Sequence, residues 1–389
     1  MRRDLARNAA LIAGAVATGW IGWSGEPRLL PVSLLFPLIW SKAPSRAVTV
    51  LVAMGYFLAA SRGLPLGIVN FYGSNGYEGY LLWIISASGF VSAHTICWEG
   101  RSERRRLLGF AVATVVTILP PVGIAGWANP LTAAGILFPG WGWSGLIVTG
   151  AGMLFLVTKR WPIAAVAIGG LTLWSAAGWT PPNVPAGWTG SDTQFGQALG
   201  RGFNLSLQRD LTRSVHEASA RSGADMIVLP ESAFGFWTPT IEQLWQQELA
   251  GSNTTVVGGA AVVTRHGYDN VVIAVKADGA SIVYRQRMPV PVSMWQPWRE
   301  WSGQSGGASA GFFNDPVVEI AGHRVTVLVC YEQLIAWPVL QSMLHRPDAI
   351  IAIGNGWWTK GTSIVAVQRA SVFAWGRLFD IPLVLSFNT

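Results

Sequence analysis

VTVLVCYEQ, Val325 to Gln333, runs from β-branched and apolar residues straight into a cysteine and, two positions on, a glutamate. Alone, the thiol reads better as a small core hydrophobe, the usual place of an unpaired cysteine. A second run, ADMIVLPE (Ala224 to Glu231), ends the same way, in a carboxylate. Active-site groups of open α/β sheets gather where strands finish. A carboxylate beside a thiol can act as its general base, and a cation completing the trio would lower the thiol pKa and hold an oxyanion. That combination is the chemistry of acyl transfer.

The surrounding pattern fits a layered α/β domain. Leu205 to Arg221 and Ile241 to Leu249 read as helices, and TTVVGGAAVV, NVVIAVKADGASIVYRQ, VTVLVCYE and AIIAIGNG as strands. Near-continuous apolar strands alternating with helices are those of a sheet covered by helices. TPPNVPAGWTGSD, Thr180 to Asp192, is a Pro/Gly-rich linker that closes off what precedes it.

What precedes it is different in kind. The 389 residues are 51% hydrophobic and only 12% charged, and apolar runs dominate up to Trp179. These runs are Asn8 to Ser24, Leu29 to Ser41, Ala47 to Ala60, Gly79 to Trp98, Leu107 to Trp127, Leu131 to Thr158 and Trp161 to Trp179. A spanning helix needs ~20 apolar residues, so about five to seven membrane spans are expected. The runs at 29 and 47 read as tilted spans, broken pieces or one re-entrant pair. Arg2, Arg3 and Arg7, the RSERRR segment from Arg101 to Arg106, and Lys159-Arg160 fall on one side of the count. The positive-inside rule makes that side cytoplasmic. The expected organisation is a helical membrane domain over 1–179, a linker over 180–192, and an α/β domain over 193–389 on the outer face. Many of the 21 tryptophans suit a membrane interface. The net charge of +7 gathers at the ends of apolar runs, so direct nucleic-acid binding is not expected. Two distant cysteines, Cys97 and Cys330, argue against a disulfide framework, and the scarcity of clustered His or Cys against a metal site.

Five segments carry a resemblance. LPESAF (Leu229 to Phe234), YRQRMPVP (Tyr284 to Pro291), CYE (Cys330 to Glu332), NGWW (Asn355 to Trp358) and PLVLSFNT (Pro382 to Thr389) follow the order and spacing of the nitrilase, or carbon-nitrogen hydrolase, superfamily. The first half, including GWANPLTAAGILFPGWGW (Gly126 to Trp143), resembles the apolipoprotein N-acyltransferases, more narrowly their relatives in conjugative plasmid transfer operons. The resemblance implies a nitrilase-like αββα sandwich, a bacterial inner-membrane location with the α/β domain periplasmic, and no cofactor. It implies Glu231 as base, Cys330 as nucleophile, Glu332 as a supporting carboxylate, and Tyr331, Trp237, Trp357 and Trp358 as substrate contacts. The partners it implies are a phospholipid acyl donor, a lipoprotein or pilus-protein acceptor, and components of a conjugation machinery.

The third member of the family triad does not carry over. Alignment on Val290-Pro291 puts Gln286 in the lysine slot, and the four lysines (Lys42, Lys159, Lys276 and Lys360) lie elsewhere. Arg285 and Arg287 flank the slot, so one of them is the candidate oxyanion contact, although a guanidinium cannot shuttle a proton. Met294 stands where the acyltransferases have a glutamate, and the family pattern continues past Asn388-Thr389. His323 falls out of phase with Cys330 on the strand, which argues against a Cys-His pair. Two functions follow: a Cys330 thioester acyltransferase or amidase, or an inactive relative serving as a structural part of a DNA-transfer or pilus apparatus.

Overall fold

The computed structural model describes residues 2–73, 76–200 and 204–389. These residues group into two compact units: Met1–Pro181 with Leu334–Trp337 and Gly361–Asp380, and Pro182–Gln333 with Pro338–Lys360 and Ile381–Thr389. A linear division of the sequence would give Gly361–Asp380 to the α/β half, whereas its contacts group it with the helices.

The helical unit begins with α1 (Arg2–Gly22), α2 (Leu35–Ser41), α3 (Arg46–Ala60), α4 (Leu64–Tyr72), α5 (Tyr77–Ile96) and α6 (Glu103–Val116). It continues with α7 (Ala134–Leu137), α8 (Gly142–Leu156) and α9 (Trp161–Ala177). Trp23 Nε1 donates to the Tyr56 hydroxyl at 2.9 Å, and that hydroxyl donates to the Ala128 carbonyl at 3.1 Å, tying α1, α3 and the segment before α7 together.

Most of the apolar helices are shorter than the sequence runs that contain them. By length and composition only α5 could cross a membrane alone among the described residues; α3 and α4 qualify only as a pair bent by 52°. The reason lies in the helix breakers. The run from Leu107 ends its helix at Val116, ahead of Pro120-Pro121. The run from Leu131 is cut into a 3-10 turn, the four-residue α7, and α8, with Pro139 and a left-handed Gly140 (φ 77°) between the last two. Hydropathy alone does not register those breaks.

The α/β unit contains β1 (Trp188–Gly190), α10 (Leu205–Ser222), β2 (Met226–Val228), α11 (Pro239–Glu248), β3 (Thr255–Val263), β4 (Tyr268–Lys276), β5 (Gly279–Arg285) and α12 (Pro297–Trp301). After these come β6 (Val318–Ile320), β7 (His323–Val329), α13 (Ala336–Met343), β8 (Ala349–Asn355), α14 (Ile364–Phe379) and β9 (Leu383–Asn388), α14 belonging to the helical unit. One sheet has the order β1-β2-β3-β4-β5, parallel from β1 to β3 and antiparallel from β3 to β5. The other has the order β6-β7-β8-β9, with only the β6/β7 pair antiparallel. Met226, Val228, Val257 and Val272 of the first sheet share a core with Val325, Val327, Val329, Ile351 and Ile353 of the second, so the sheets pack face to face.

Helices cover the outer face of the first sheet. In α10, Asn204 caps the Leu207 N–H and Gly223 closes the helix in the left-handed region at φ 63°. Leu207, Leu211 and Val215, at spacings of four, form its buried stripe against Ile227, Leu229 and Trp245. The fold is nitrilase-like, two mixed sheets with helices outside.

One glycine fixes where the β2 chain turns. Beyond Val228 the chain lies along β3, with Gly259 N–H donating to Pro230 O at 3.1 Å and Phe234 N–H to Gly259 O at 3.0 Å. A Cβ on Gly259 would stand 2.6 Å from Glu231 Cα and 2.7 Å from Ser232 N. Gly259→Ala is therefore expected to cost about 1–3 kcal/mol in denaturant unfolding; a change within about 0.5 kcal/mol would show that the turn gives way.

Candidate active site

The nucleophile candidate sits on a strained turn. β7 ends at Val329, and Cys330 takes φ 49°, a left-handed value that costs a non-glycine residue about 1–3 kcal/mol. Cys330 is only 7% exposed and opens a short 3-10 turn, Cys330–Gln333. Gln333 pins that turn from within, donating from Nε2 to Leu328 O at 3.2 Å and Ile353 O at 2.8 Å.

Glu332, in the same turn, ties it to the end of β5 in the other sheet. Its Oε2 accepts Val329 N–H at 2.8 Å, one residue before Cys330. Its Oε1 accepts the Tyr284 hydroxyl at 2.8 Å, Arg287 N–H at 2.8 Å and Met288 N–H at 3.1 Å. Behind it, Arg287 donates from Nε to the Tyr284 hydroxyl at 3.0 Å, from Nη1 to Gln341 Oε1 at 2.9 Å and from Nη2 to Ser342 Oγ at 3.1 Å. Glu332 and Arg287 are both fully buried. Burial pushes the Glu332 carboxyl above the usual range, against the pull of Arg287 and the donated hydrogen bonds. Burial also works against the Arg287 cation, but Tyr284 and Glu332 beside it hold its pKa above the ordinary value. Burial, and then the Glu332 charge, push Tyr284 up, keeping it a neutral phenol.

Glu231 lies on the opposite strand end. Its Oε1 accepts from Asn270 Nδ2 at 2.9 Å, and its Oε2 accepts the Asn355 N–H at 3.1 Å. Asn270 Nδ2 also donates to Gln286 Oε1 at 2.8 Å, and Gln286 Nε2 donates to Val329 O at 3.0 Å, the carbonyl just before Cys330. Asn355 is held in turn: Asn388 Nδ2 donates to its Oδ1 at 2.8 Å, and its own Nδ2 donates to Leu199 O at 2.7 Å. A buried carboxylate, a chain of amides and a thiol thus occupy the facing ends of β2, β5, β7 and β8.

Sequence comparison decides the family. The carbon-nitrogen hydrolase profile matches residues 104–377. This chain belongs to the carbon-nitrogen hydrolase family. It is 53% identical over its whole length to the whole of a probable conjugal transfer protein TraB of Sinorhizobium fredii. It is 52% identical, over all of this chain and 94% of the relative, to a conjugal transfer protein TraB of Agrobacterium fabrum. Among solved structures, an amidase from Nesterenkonia sp. is similar over 53% of this chain and 78% of its own, with a TM-score of 0.38 and 12% identity.

Within this carbon-nitrogen hydrolase, the residues named from sequence take different places. Glu231, Gln286, Cys330 and Glu332 come together, and Gln286 in the lysine slot is buried and hydrogen-bonded at both ends of its amide. Arg287 joins them through Tyr284 and the Glu332 side of the site. Arg285 points outward and pairs with Asp269 at 3.1 Å. Tyr331, half-buried, follows Cys330, and burial raises its hydroxyl pKa. Trp357 and Trp358 are half-buried in the turn after Asn355. Trp237 stacks edge-on with Phe234 at 5.4 Å against the core beneath α10 and α11. His323 is at the far end of β7 from Cys330, edge-on to Trp188 at 5.1 Å. Asn270, Tyr284, Asn355 and Asn388 are site residues that the sequence reading did not single out; the last three lay inside the segments that carry the resemblance, whereas Asn270 only opened the strand run NVVIAVKADGASIVYRQ.

The Glu332–Arg287 arrangement predicts a large, asymmetric cost. Glu332→Ala leaves Arg287 buried without its counter-charge and is expected to destabilise the protein by about 3–5 kcal/mol in denaturant unfolding. A loss of about 1 kcal/mol or less, the worth of an exposed pair, would contradict this geometry.

Proposed function

We propose that the chain is a membrane-associated, nitrilase-type acyltransferase or amidase that works through a Cys330 thioester and serves conjugative plasmid transfer. The observation that carries this reading is the pairing of Cys330, on its strained turn, with the buried Glu231 that the Asn270–Gln286 amides link to the carbonyl just before it. Two groups that hydrogen-bond Glu231, Asn270 Nδ2 and the Asn355 N–H, are obligate donors that leave its oxygens as acceptors.

In the reaction, Glu231 takes the thiol proton as Sγ adds to the acyl carbon. The C–N or C–O bond then breaks, and the leaving amine or alcohol departs with that proton. Water or an acceptor amine next adds to the thioester carbon and gives its proton to Glu231; the C–S bond breaks and sulfur takes the proton back. Arg287 acts as the brace of Glu332 in place of the oxyanion contact suggested by its sequence position, because its bonds run to Tyr284, Gln341 and Ser342.

The membrane part of the proposal rests on exposed apolar surface. In α9, Ile163 is 68% exposed, Val166 and Leu173 76%, and Trp174 70%, and only Ala164 and Ser175 are buried. A helix apolar on nearly all sides suits lipid better than water. The conjugation role rests on the two full-length relatives named as conjugal transfer proteins. A lipid acyl donor and a lipoprotein or pilus-protein acceptor are the partners that extend this reading. A second reading, a structural part of the transfer apparatus with its chemistry lost, is favoured by the fully hydrogen-bonded Gln286 amide where the family has a lysine.

Intact-mass analysis with a reactive acyl ester separates the two. The enzyme reading expects an acyl adduct on the parent protein that disappears in Cys330→Ala, is slowed in Glu231→Gln, and forms faster in Gln286→Lys. If no adduct forms even in Gln286→Lys, and Cys330→Ala supports plasmid transfer as well as the parent, the structural reading stands.

The membrane proposal has its own test. The chain should stay in the membrane fraction through an alkaline carbonate wash, and a reporter active only in the periplasm should work when fused after Gly190 but not near Ser102. Release by carbonate, or the opposite reporter pattern, contradicts it.

A further inference from the structure

At one corner of the helical unit the fold brings together basic segments that are far apart in sequence. Arg106 is spent inward: its Nη1 donates to Ser41 O at 3.1 Å, its Nε to Glu99 O at 3.2 Å and its Nη2 to Gly100 O at 3.4 Å. These bonds lock the turn after α5 onto the end of α2. Ser102 then caps α6, accepting the Arg105 N–H at 3.2 Å. In the first turn of α6, Glu103 Oε2 accepts the Lys159 N–H at 3.2 Å, which ties that turn to the one between α8 and α9. The acids do not neutralise this corner. Glu99 accepts the Arg101 N–H at 2.9 Å and lies in the field of Arg101, Arg105 and Arg46, and Glu103 is taken by a backbone N–H. Arg104, Lys159 and Arg160 are exposed, and among the described residues none of them pairs with an acid. An orientation signal needs charge in the loops; it does not need the loops folded against one another.

Along the same helices the exposed surface turns apolar at once. From Arg104 the stripe continues at helical spacing through Leu108, Val112 and Val115, each just over half exposed. Past Arg160, α9 opens with Trp161 and Ile163 exposed, and α8 ends on an exposed Phe155. Cations at one end with an apolar stripe beneath them match an amphiphile laid along the helices. Nucleic acid would need the basic surface to continue as a track for its backbone, and here it stops where the apolar stripe begins. A zwitterionic head group would bring its own cation to a corner that already holds three.

We propose that Arg104, Lys159 and Arg160 bind the phosphate of an anionic phospholipid whose acyl chains lie along Leu108, Val112 and Ile163. The assignment rests on the membrane part of the reading above and adds to it a lipid class and a place. Basic pockets between helices on the cytoplasmic side, where the positive-inside rule puts these residues, are where anionic head groups settle. The lipid is a structural ligand, distinct from any acyl donor for Cys330. Held there, it joins α6 to the turn between α8 and α9, reinforcing the bond from Lys159 to Glu103.

Native mass spectrometry of the detergent-purified full-length protein counts the lipids retained from an equimolar mixture of phosphatidylglycerol and phosphatidylcholine. Phosphatidylglycerol should be retained in excess. Replacing Arg104, Lys159 and Arg160 together by Gln should cut its retention about tenfold or more, whereas Arg104→Lys with Arg160→Lys should keep most of it. Arg2→Gln, Arg3→Gln and Arg46→Gln combined should leave it nearly unchanged. Where the first triple variant fails to fold or inverts the reporter fused after Gly190, Arg104→Gln and Lys159→Gln singly should each lose part of the preference. Equal retention of the two lipids, equal losses in the two triple variants, or free glycerol phosphate binding as tightly as the lipid overturns the assignment. Binding of a short DNA duplex that the first triple variant abolishes would give the corner to nucleic acid instead. The carbonate wash keeps the two proposals apart. A chain that resists carbonate but shows no preference for phosphatidylglycerol upholds the membrane reading and removes this site. A chain released by carbonate that still prefers phosphatidylglycerol keeps the site and removes the embedded helical unit.

Discussion

A single buried carboxylate organises the end of the sheet pair. Glu332 collects three backbone N–H groups and a phenol from both sides of the sandwich: Val329 on the nucleophile strand, and Tyr284, Arg287 and Met288 at the end of β5. None of those donors has to be placed by a flexible surface side chain, so the carboxylate reads the backbone directly. Because Val329 is one of them, the left-handed Cys330 that follows is over-determined, as a strained residue must be to persist. Arg287 is drawn inside for the same reason: a carboxylate that deep needs a cation nearby, and the cation needs Gln341 and Ser342 to satisfy its fork.

The other half of the site is tied together by amides. Where the family has a lysine, Gln286 and Asn270 pass hydrogen bonds from Glu231 to the carbonyl before Cys330. Dipoles replace a unit charge, which changes the electrostatics more than the shape. A carboxylate beside a cation is held down in pKa, whereas one beside neutral donors is held mainly by its hydrogen bonds.

Much of this was legible in the sequence, and the illegible part has a physical explanation. Strand-end positions make Glu231, Cys330 and Glu332 visible, because an apolar run that stops on a titratable residue breaks the burial pattern. Asn270 gives no such signal: in YDNVVIAVK it resembles any polar residue at the start of a strand, and its role arises only when β4 is laid beside β5. Arg287 is visible as a charge, but its purpose is not, since Gln341 and Ser342 lie 54 and 55 residues away. In the helical unit, the apolar runs are interrupted at Pro121, Pro130 and Pro139, whose effect on backbone hydrogen bonding a hydropathy average does not weigh.

The same contacts serve stability and chemistry, and this is why the enzyme and scaffold readings share one structure. Glu231 to Asn355, Gln286 to Val329 and Glu332 to Tyr284 each join the first sheet to the second at their strand ends. Buried polar networks of this kind are costly when half satisfied and rigid when complete. A chain that lost its chemistry would still keep them, so their presence measures how the sandwich is closed. The strained turn is different. A left-handed cysteine adds nothing to closing the sheets, and glycine would adopt that backbone at no steric cost. Of all the site's features, the side chain kept at 330 in spite of its backbone is the one that favours a reactive thiol over a clasp.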